Sequence, residues 1–198
     1  YAYGDLWLDE NGYIYINPND PKLMVTDERI KLGSVLPDYN AGFRNDFSYK
    51  GINLSLLFSA RFGGIVVSPT QGFLDGLGVS KASADARDAG GVPINNGRID
   101  AQHYYETVGL GQLLSHYTYS ATNVRLQETS IGYTFPKKWM GDRVKLTASL
   151  VGRNLWMIYC KAPFDPELTA STGSYLQGID YFMQPSLRSL GFNVQLKF

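Results

Sequence analysis

Two histidines, a single cysteine and one closely spaced carboxylate pair are the residues of this 198-residue chain whose types invite a chemical reading. His103 and His116 stand far apart, and neither an HExxH helix nor a paired CxxC accompanies them. The spacing offers no metal site, and both read as loop histidines. Asp165 and Glu167 flank Pro166. Paired carboxylates can share acid–base work, but at i, i+2 around a proline they read as a turn. Serines abound without a Gly-x-Ser-x-Gly elbow to present one as a nucleophile. Asp9-Glu10-Asn11-Gly12-Tyr13-Ile14 resembles a calcium loop only faintly. It lacks the alternating acidic ligands and closing Glu of an EF-hand, and a turn is the simpler reading. Cys160 has no partner for an intrachain disulfide. No catalytic, cofactor-binding or metal-binding residue is assigned, no cofactor is expected, and the chain is not expected to be an enzyme.

The stronger signal is aromatic. His103-Tyr104-Tyr105 and His116-Tyr117-Thr118-Tyr119 concentrate rings with polar tips, which suit sugar stacking and protein interfaces. His103, Tyr104, Tyr105, His116, Tyr117 and Tyr119 are candidate contacts for a substrate or partner. The competing reading is a loop packed on itself.

These residues hang on alternating segments. In the last stretch Leu190, Phe192, Val194, Leu196 and Phe198 fall on one side, and Ser189, Gly191, Asn193, Gln195 and Lys197 on the other. A strand turns successive side chains to opposite faces, so this is a ribbon with one apolar and one polar face. Similar alternation predicts strands at about 41–50, 52–62, 122–135 and 143–159, besides 187–198. A turn at Lys50-Gly51 joins the first two as a hairpin. In the third, Val124 and Leu126 are out of phase with Ile131, Tyr133 and Phe135, which predicts a bulge near Gln127–Thr129, or a strand end above the membrane. Residues 1–39, 63–121 and 160–186 are read as loops, and 65–120 show no sustained period.

Bulk properties narrow the class. Net charge is zero, so nothing electrostatic points to nucleic acid. No apolar run approaches the ~20 residues of a membrane helix. A hydrophobic fraction of 44% is compatible with a β-barrel, whose strands are half apolar. The chain opens at Tyr1 with neither an initiator Met nor a signal peptide, which suggests processing or a piece of something longer.

Short and long connections alternate along the chain, so the long ones leave from one end of the sheet. This is the asymmetry of outer-membrane barrels, with short periplasmic turns and long external loops. Strands gain ~2.5 Å per residue along the membrane normal, so Val144 to Trp156 spans about 30 Å against an apolar band ~25 Å tall. Trp156 is expected at the outer aromatic girdle and Trp139 at the inner one, the competing reading being two tryptophans that fill a soluble core. The terminal Phe198 is also expected at the membrane girdle. Arg61, Lys145, Arg153 and Lys197 alternate with apolar residues and are expected to face the lumen. The visible strands are too few to close, because the smallest bacterial barrels need about eight. An open sheet edge in lipid is forbidden, so a fragment of a larger barrel is expected.

Ordered motifs carry a resemblance. They are Leu36-Pro37-Asp38-Tyr39-Asn40-Ala41-Gly42-Phe43, Phe47-Ser48-Tyr49-Lys50-Gly51, Arg61-Phe62-Gly63-Gly64, Val124 to Pro136, Gly152-Arg153-Asn154-Leu155-Trp156, Asp165-Pro166-Glu167, and Gln177-Gly178-Ile179-Asp180. In this order they resemble the C-terminal portion of SusC/RagA-type TonB-linked outer-membrane transporters. The resemblance implies that residues 1–198 are the C-terminal strands of a large antiparallel transmembrane β-barrel, 22-stranded in the family, with long extracellular loops. It implies import of glycan or peptide fragments across the outer membrane of a Gram-negative bacterium. It also implies a SusD-like surface lipoprotein as partner, and TonB coupling through upstream plug and TonB-box segments. The lipid bilayer is the remaining partner.

A reading from another class is a secreted carbohydrate-binding β-sandwich module with an aromatic sugar platform. A small outer-membrane enzyme is disfavoured by the missing nucleophile and acid–base set.

Overall fold

The computed structural model describes residues 2–140, 144–167, 173 and 176–197. The chain forms two compact units. One comprises Tyr1–Val35, Ile65–Tyr119 and Leu168–Met183; the other comprises Leu36–Gly64, Ser120–Glu167 and Gln184–Phe198.

The second unit is a five-stranded antiparallel sheet: β1 (Tyr39–Tyr49), β2 (Ile52–Phe62), β3 (Asn123–Thr134), β4 (Lys145–Cys160) and β5 (Ser189–Lys197). Its spatial order is β5-β4-β3-β2-β1, so every strand pairs with its neighbours in sequence. The β1–β2 turn is held by Lys50 at φ 46° and Gly51 at φ 89°. Two successive positive φ angles match the twist of a two-residue hairpin. Gly51 is required twice over, since a Cβ there would stand 2.8 Å from the Thr134 carbonyl oxygen. Arg143 and Phe198, expected at the start of β4 and the end of β5, lie outside the described residues.

Register sorts the side chains. Directly opposed residues share a face. Tyr49, Ile52, Tyr133, Ala148 and Val194 form one row across the sheet, and Phe47, Leu54, Ile131, Leu150 and Phe192 the next. The register of β3 shifts between Leu126 and Glu128 against both neighbours. The displaced Gln127 accepts a 2.7 Å hydrogen bond from the Ser59 hydroxyl. The slip returns Val124 and Leu126 to the apolar face, opposite Ala60 and Phe58. The strand's phase break is therefore the expected bulge, not a strand end.

The first unit corrects the expectation of unstructured loop over 65–120. Three helices lie there: α1 (Pro69–Gly76), α2 (Lys81–Asp88) and α3 (Ala101–Tyr105), the last running into a π-helical turn, Glu106–Leu110. Each has a side-chain cap. Ser68 accepts from the Gln71 N–H, Ser80 from the Ser83 N–H, and Asp100 from the Gln102 and His103 N–H groups. Such caps satisfy otherwise orphaned first-turn donors. A hairpin, Val92–Ile94 with Gly97–Ile99, separates α2 from α3. Short strand pairs of the amino-terminal stretch join them, Ala2–Tyr3 with Arg29–Ile30 and Ile16–Asn17 with Asp20–Leu23. The core is Leu6, Ile16, Leu23, Val108, Leu113 and Tyr117. At the helix crossing Gly72 of α1 meets Gly109 of the π-turn; a Cβ on Gly109 would collide with the Gly72 carbonyl oxygen.

Candidate functional site

The apolar face of the sheet is uncovered. Tyr39, Phe43, Phe47, Tyr49, Leu150, Trp156, Leu190 and Phe192 are each at least 57% exposed, and the register puts them all on that one face. A soluble protein rarely leaves a contiguous apolar patch of this extent open to water. A β-sandwich would bury this face under a second sheet, so the sandwich reading does not fit. Trp156 stands opposite Leu126 on the same face. Trp139, 72% exposed, sits in the 3-10 turn after β3, with its ring 6.0 Å from Phe135. Phe198 lies outside the described residues.

The opposite face is polar and cross-bonded. Asn53 donates to Thr134 at 2.9 Å, and the Thr134 and Thr147 hydroxyls meet at 3.1 Å. Arg153 is ion-paired with Glu128 at 2.9 Å. Arg61 is opposed to Asn123, and Lys145 to Lys197. Alternation and register thus bring Arg61, Lys145, Arg153 and Lys197 to this same polar face.

One residue of that face is not assigned a role by sequence reading. Arg125 is 3% exposed. Its guanidinium donates to both oxygens of Asp165, at 2.7 and 3.3 Å, and lies 3.3 Å from a Glu167 oxygen. Its Nε donates to the buried Asn123 at 3.3 Å. Burial pushes the Asp165 carboxyl up, but hydrogen bonds from Arg125, Ser186 and the Glu167 amide, with the Arg125 charge, leave it below the usual aspartate value. Asp165 and Glu167 therefore form no acid–base pair; they anchor the turn after β4 to β3. A signal existed in the Asp-Pro-Glu motif, but its partner lies forty residues away.

The aromatic candidates divide. Tyr117 is 3% exposed and belongs to the core, with its hydroxyl bonded to Asp75. It has no ring face to offer a partner, which corrects its candidacy. Tyr104 and Tyr119 pack against the same core. His116 Nε2 lies 3.0 Å from Asp5, while the His103 N–H is taken by the cap residue Asp100. Tyr105, edge-on to Tyr104 at 4.9 Å, remains accessible from a cleft of about 380 Å³ whose walls include Asp75, Ser83, Arg87, Gln102 and Glu106. Burial first, then neighbouring charge, raises all four phenols. Tyr104 reaches about 12, and Tyr105, Tyr117 and Tyr119 move in the same direction, with Asp75 a contributor throughout. Among the described residues no group of His, Cys, Asp and Glu could hold a metal ion. The Asp9 carboxylate is used inside its own turn, accepting from the Asn11 and Tyr13 N–H groups at 2.9 and 2.8 Å.

A five-stranded antiparallel meander with one exposed apolar face and one hydrogen-bonded polar face is a segment of transmembrane β-barrel wall. The sheet is not closed within this chain. No family model matches the sequence. Three receptors of Formosa agariphila do. TonB-dependent receptor P3 is 28% identical over 98% of this chain, P26 is 29% identical over 92%, and P39 is 24% identical over 98%. The chain spans 19% of the length of each. In fold it is similar to a chain of the RagAB peptide importer in its closed-closed state, with TM-score 0.67 and 17% identity over 99% of this chain and 22% of that one. The resemblance to SusC/RagA-type TonB-linked transporters carried by the motifs holds, and the chain has the fold of a segment of such a barrel. Its relatives are receptors, not enzymes, in agreement with the sequence reading.

Proposed function

We propose that this chain is part of the wall of a TonB-dependent outer-membrane transporter that imports nutrients. The observation that carries the reading is the continuous apolar face on β1–β5, backed by a polar face rich in cross-strand bonds. The apolar face is the lipid contact. Arg61, Lys145, Arg153 and Lys197 line the lumen, where charge is cheap. Trp156 belongs to the outer girdle, and Trp139 to the inner one. Residues 1–198 are the C-terminal part of the barrel, as the motif resemblance implies, and the long connections are external loops. Import is energised by TonB through other parts of the protein. The substrate, an oligosaccharide or a peptide, is received with a SusD-like surface lipoprotein. The likeness to a peptide importer and to three TonB-dependent receptors supports this reading.

The test is fractionation and uptake with the full-length protein. Recovery from detergent-extracted outer membranes, together with nutrient uptake that stops when TonB is deleted, is expected. A full-length product that is monomeric and soluble without detergent would overturn the reading.

A further inference from the structure

The apolar face of the sheet is dented near its short-turn end. In the row Tyr49, Ile52, Tyr133, Ala148 and Val194, Ala148 is the one small side chain. With Leu150 and Phe192 of the next row it leaves a groove of about 330 Å³, whose walls include Ile52, Ile131 and Tyr133. The groove opens beside the β1–β2 turn, because Ile52 is the first residue after Lys50-Gly51. It continues to the second row, about 7 Å further along the strands at ~3.4 Å per residue.

The mouth of the groove is aromatic and cationic. The Tyr133 ring lies 5.0 Å from Phe135, and Phe135 lies 6.0 Å from Trp139. Tyr49 is 69% exposed, and Lys50 Nζ stands 5.2 Å from its ring centre. Since Tyr49 belongs to the apolar face, this contact draws an ammonium towards that face. Lys138 is exposed in the 3-10 turn after β3, beside Trp139. Among the described residues no ion pair reaches Lys50 or Lys138. Both short turns carry an excess of positive charge. Lys50 supplies it in the first; Lys137 and Lys138 supply it in the second, where Asp142 is matched in number by Arg143.

We propose that this groove holds one anionic phospholipid of the periplasmic leaflet, with an acyl chain across Ala148 and the phosphate at Lys50 and Lys138. Depth and chemistry coincide. Cations and aromatic rings stand at the level of the turns, and the apolar walls extend towards the bilayer centre. Headgroup and chain follow one another in the same order. Basic residues at a membrane surface attract acidic headgroups, and a zwitterionic phospholipid gains less there. The inference rests on the transporter reading and goes beyond it, since general lipid contact requires neither the dent at Ala148 nor the lysines.

The test is native mass spectrometry of the full-length transporter, purified from outer membranes and delipidated in detergent. The probes are dioleoyl-phosphatidylglycerol, dioleoyl-phosphatidylethanolamine and glycerol phosphate. The double variant Lys50→Asn with Lys138→Gln is expected to hold one phosphatidylglycerol roughly tenfold more weakly than wild type, with phosphatidylethanolamine unchanged. Asparagine tolerates the positive φ of position 50. Ala148→Leu, which fills the groove and leaves both lysines, is expected to lose the same lipid, and serves if the double variant does not assemble. Glycerol phosphate, a headgroup without chains, is expected not to compete. Unchanged phosphatidylglycerol retention in either variant, or its displacement by glycerol phosphate, would overturn the proposal. So would a stable dimer that excludes lipid from this face. Failure of the transporter reading has a different readout, namely absence of the protein from the outer membrane.

Discussion

Arg125 and Asp165 meet in a bidentate pair, 2.7 and 3.3 Å, between the middle of one sheet and the turn that follows another of its strands. The guanidinium is almost wholly buried, and the Asp165 side chain is 10% exposed. Removing one member of such a pair leaves the other charged and desolvated, which costs about 3–5 kcal/mol. Arg125→Ala should therefore destabilise the barrel by that order, and Arg125→Ala with Asp165→Ala should cost less than the sum of the single variants. Heat-modifiability of the folded barrel on gels, followed against temperature, measures both.

The same pair sets an acid response. The Asp165 carboxyl is held below its ordinary 3.8 in the folded protein. A carboxylate with a depressed value contributes stability that is full above the unfolded value and is lost as pH falls through the folded one. Unfolding followed at decreasing pH should show an Asp165 contribution that is intact at neutral pH and disappears below 3.8. Asp165→Asn should flatten that segment of the profile; an unchanged profile would show that the pair does not stabilise the fold.

Val194 stands opposite Ala148 on the apolar face, and Gln195 opposite Thr147 on the polar one. An arginine on the lipid face costs about 2–4 kcal/mol at mid-bilayer and less toward the interface, and charge is cheap in the lumen. The row of Val194, Ala148, Tyr133, Ile52 and Tyr49 lies toward that interface, beside the Lys50–Gly51 turn. Val194→Arg should impair outer-membrane assembly while Gln195→Arg is tolerated. Quantifying folded protein in membrane fractions distinguishes them, and equal yields would contradict the two-faced sheet.

Gly109 packs directly on the Gly72 carbonyl, and backbone cannot step aside as a flexible side chain can. Gly109→Val should cost on the order of 1–3 kcal/mol or more through overpacking. Protease sensitivity confined to residues 65–119 is the expected signature, with barrel assembly retained.

Tyr117 gives a contrasting case. Its buried ring fills the core, so Tyr117→Ala should cost about 3–5 kcal/mol. Tyr117→Phe keeps the ring and removes only the hydroxyl bonded to Asp75, and should cost about 1 kcal/mol. Similar losses for the two variants would place the main contribution in the hydrogen bond and not in packing.

The strands were legible because lipid and lumen impose a period of two. Leu190, Phe192, Val194 and Leu196 display it in sequence alone, and the phase break around Gln127 even announced the bulge. The helices of 69–105 were not read, although Ser68-Pro69, Ser80 and Asp100 are capping signals of ordinary strength. The helices are short, and their apolar residues are too few to stand out as a period of 3.6. The tyrosines were visible as a cluster, but composition could not say which ring fills the core.

Sequence by itself determined the two-faced strands, the alternation of short and long connections, and the motif order that resembles one transporter family. All are local properties, written in residue type and spacing. Tertiary structure decided the rest. It joined Arg125 to Asp165 across forty residues, and buried Tyr117 while leaving Tyr105 on a cleft. Those relationships depend on which distant side chains packing brings within a few ångströms, and on how much water packing removes around each charge.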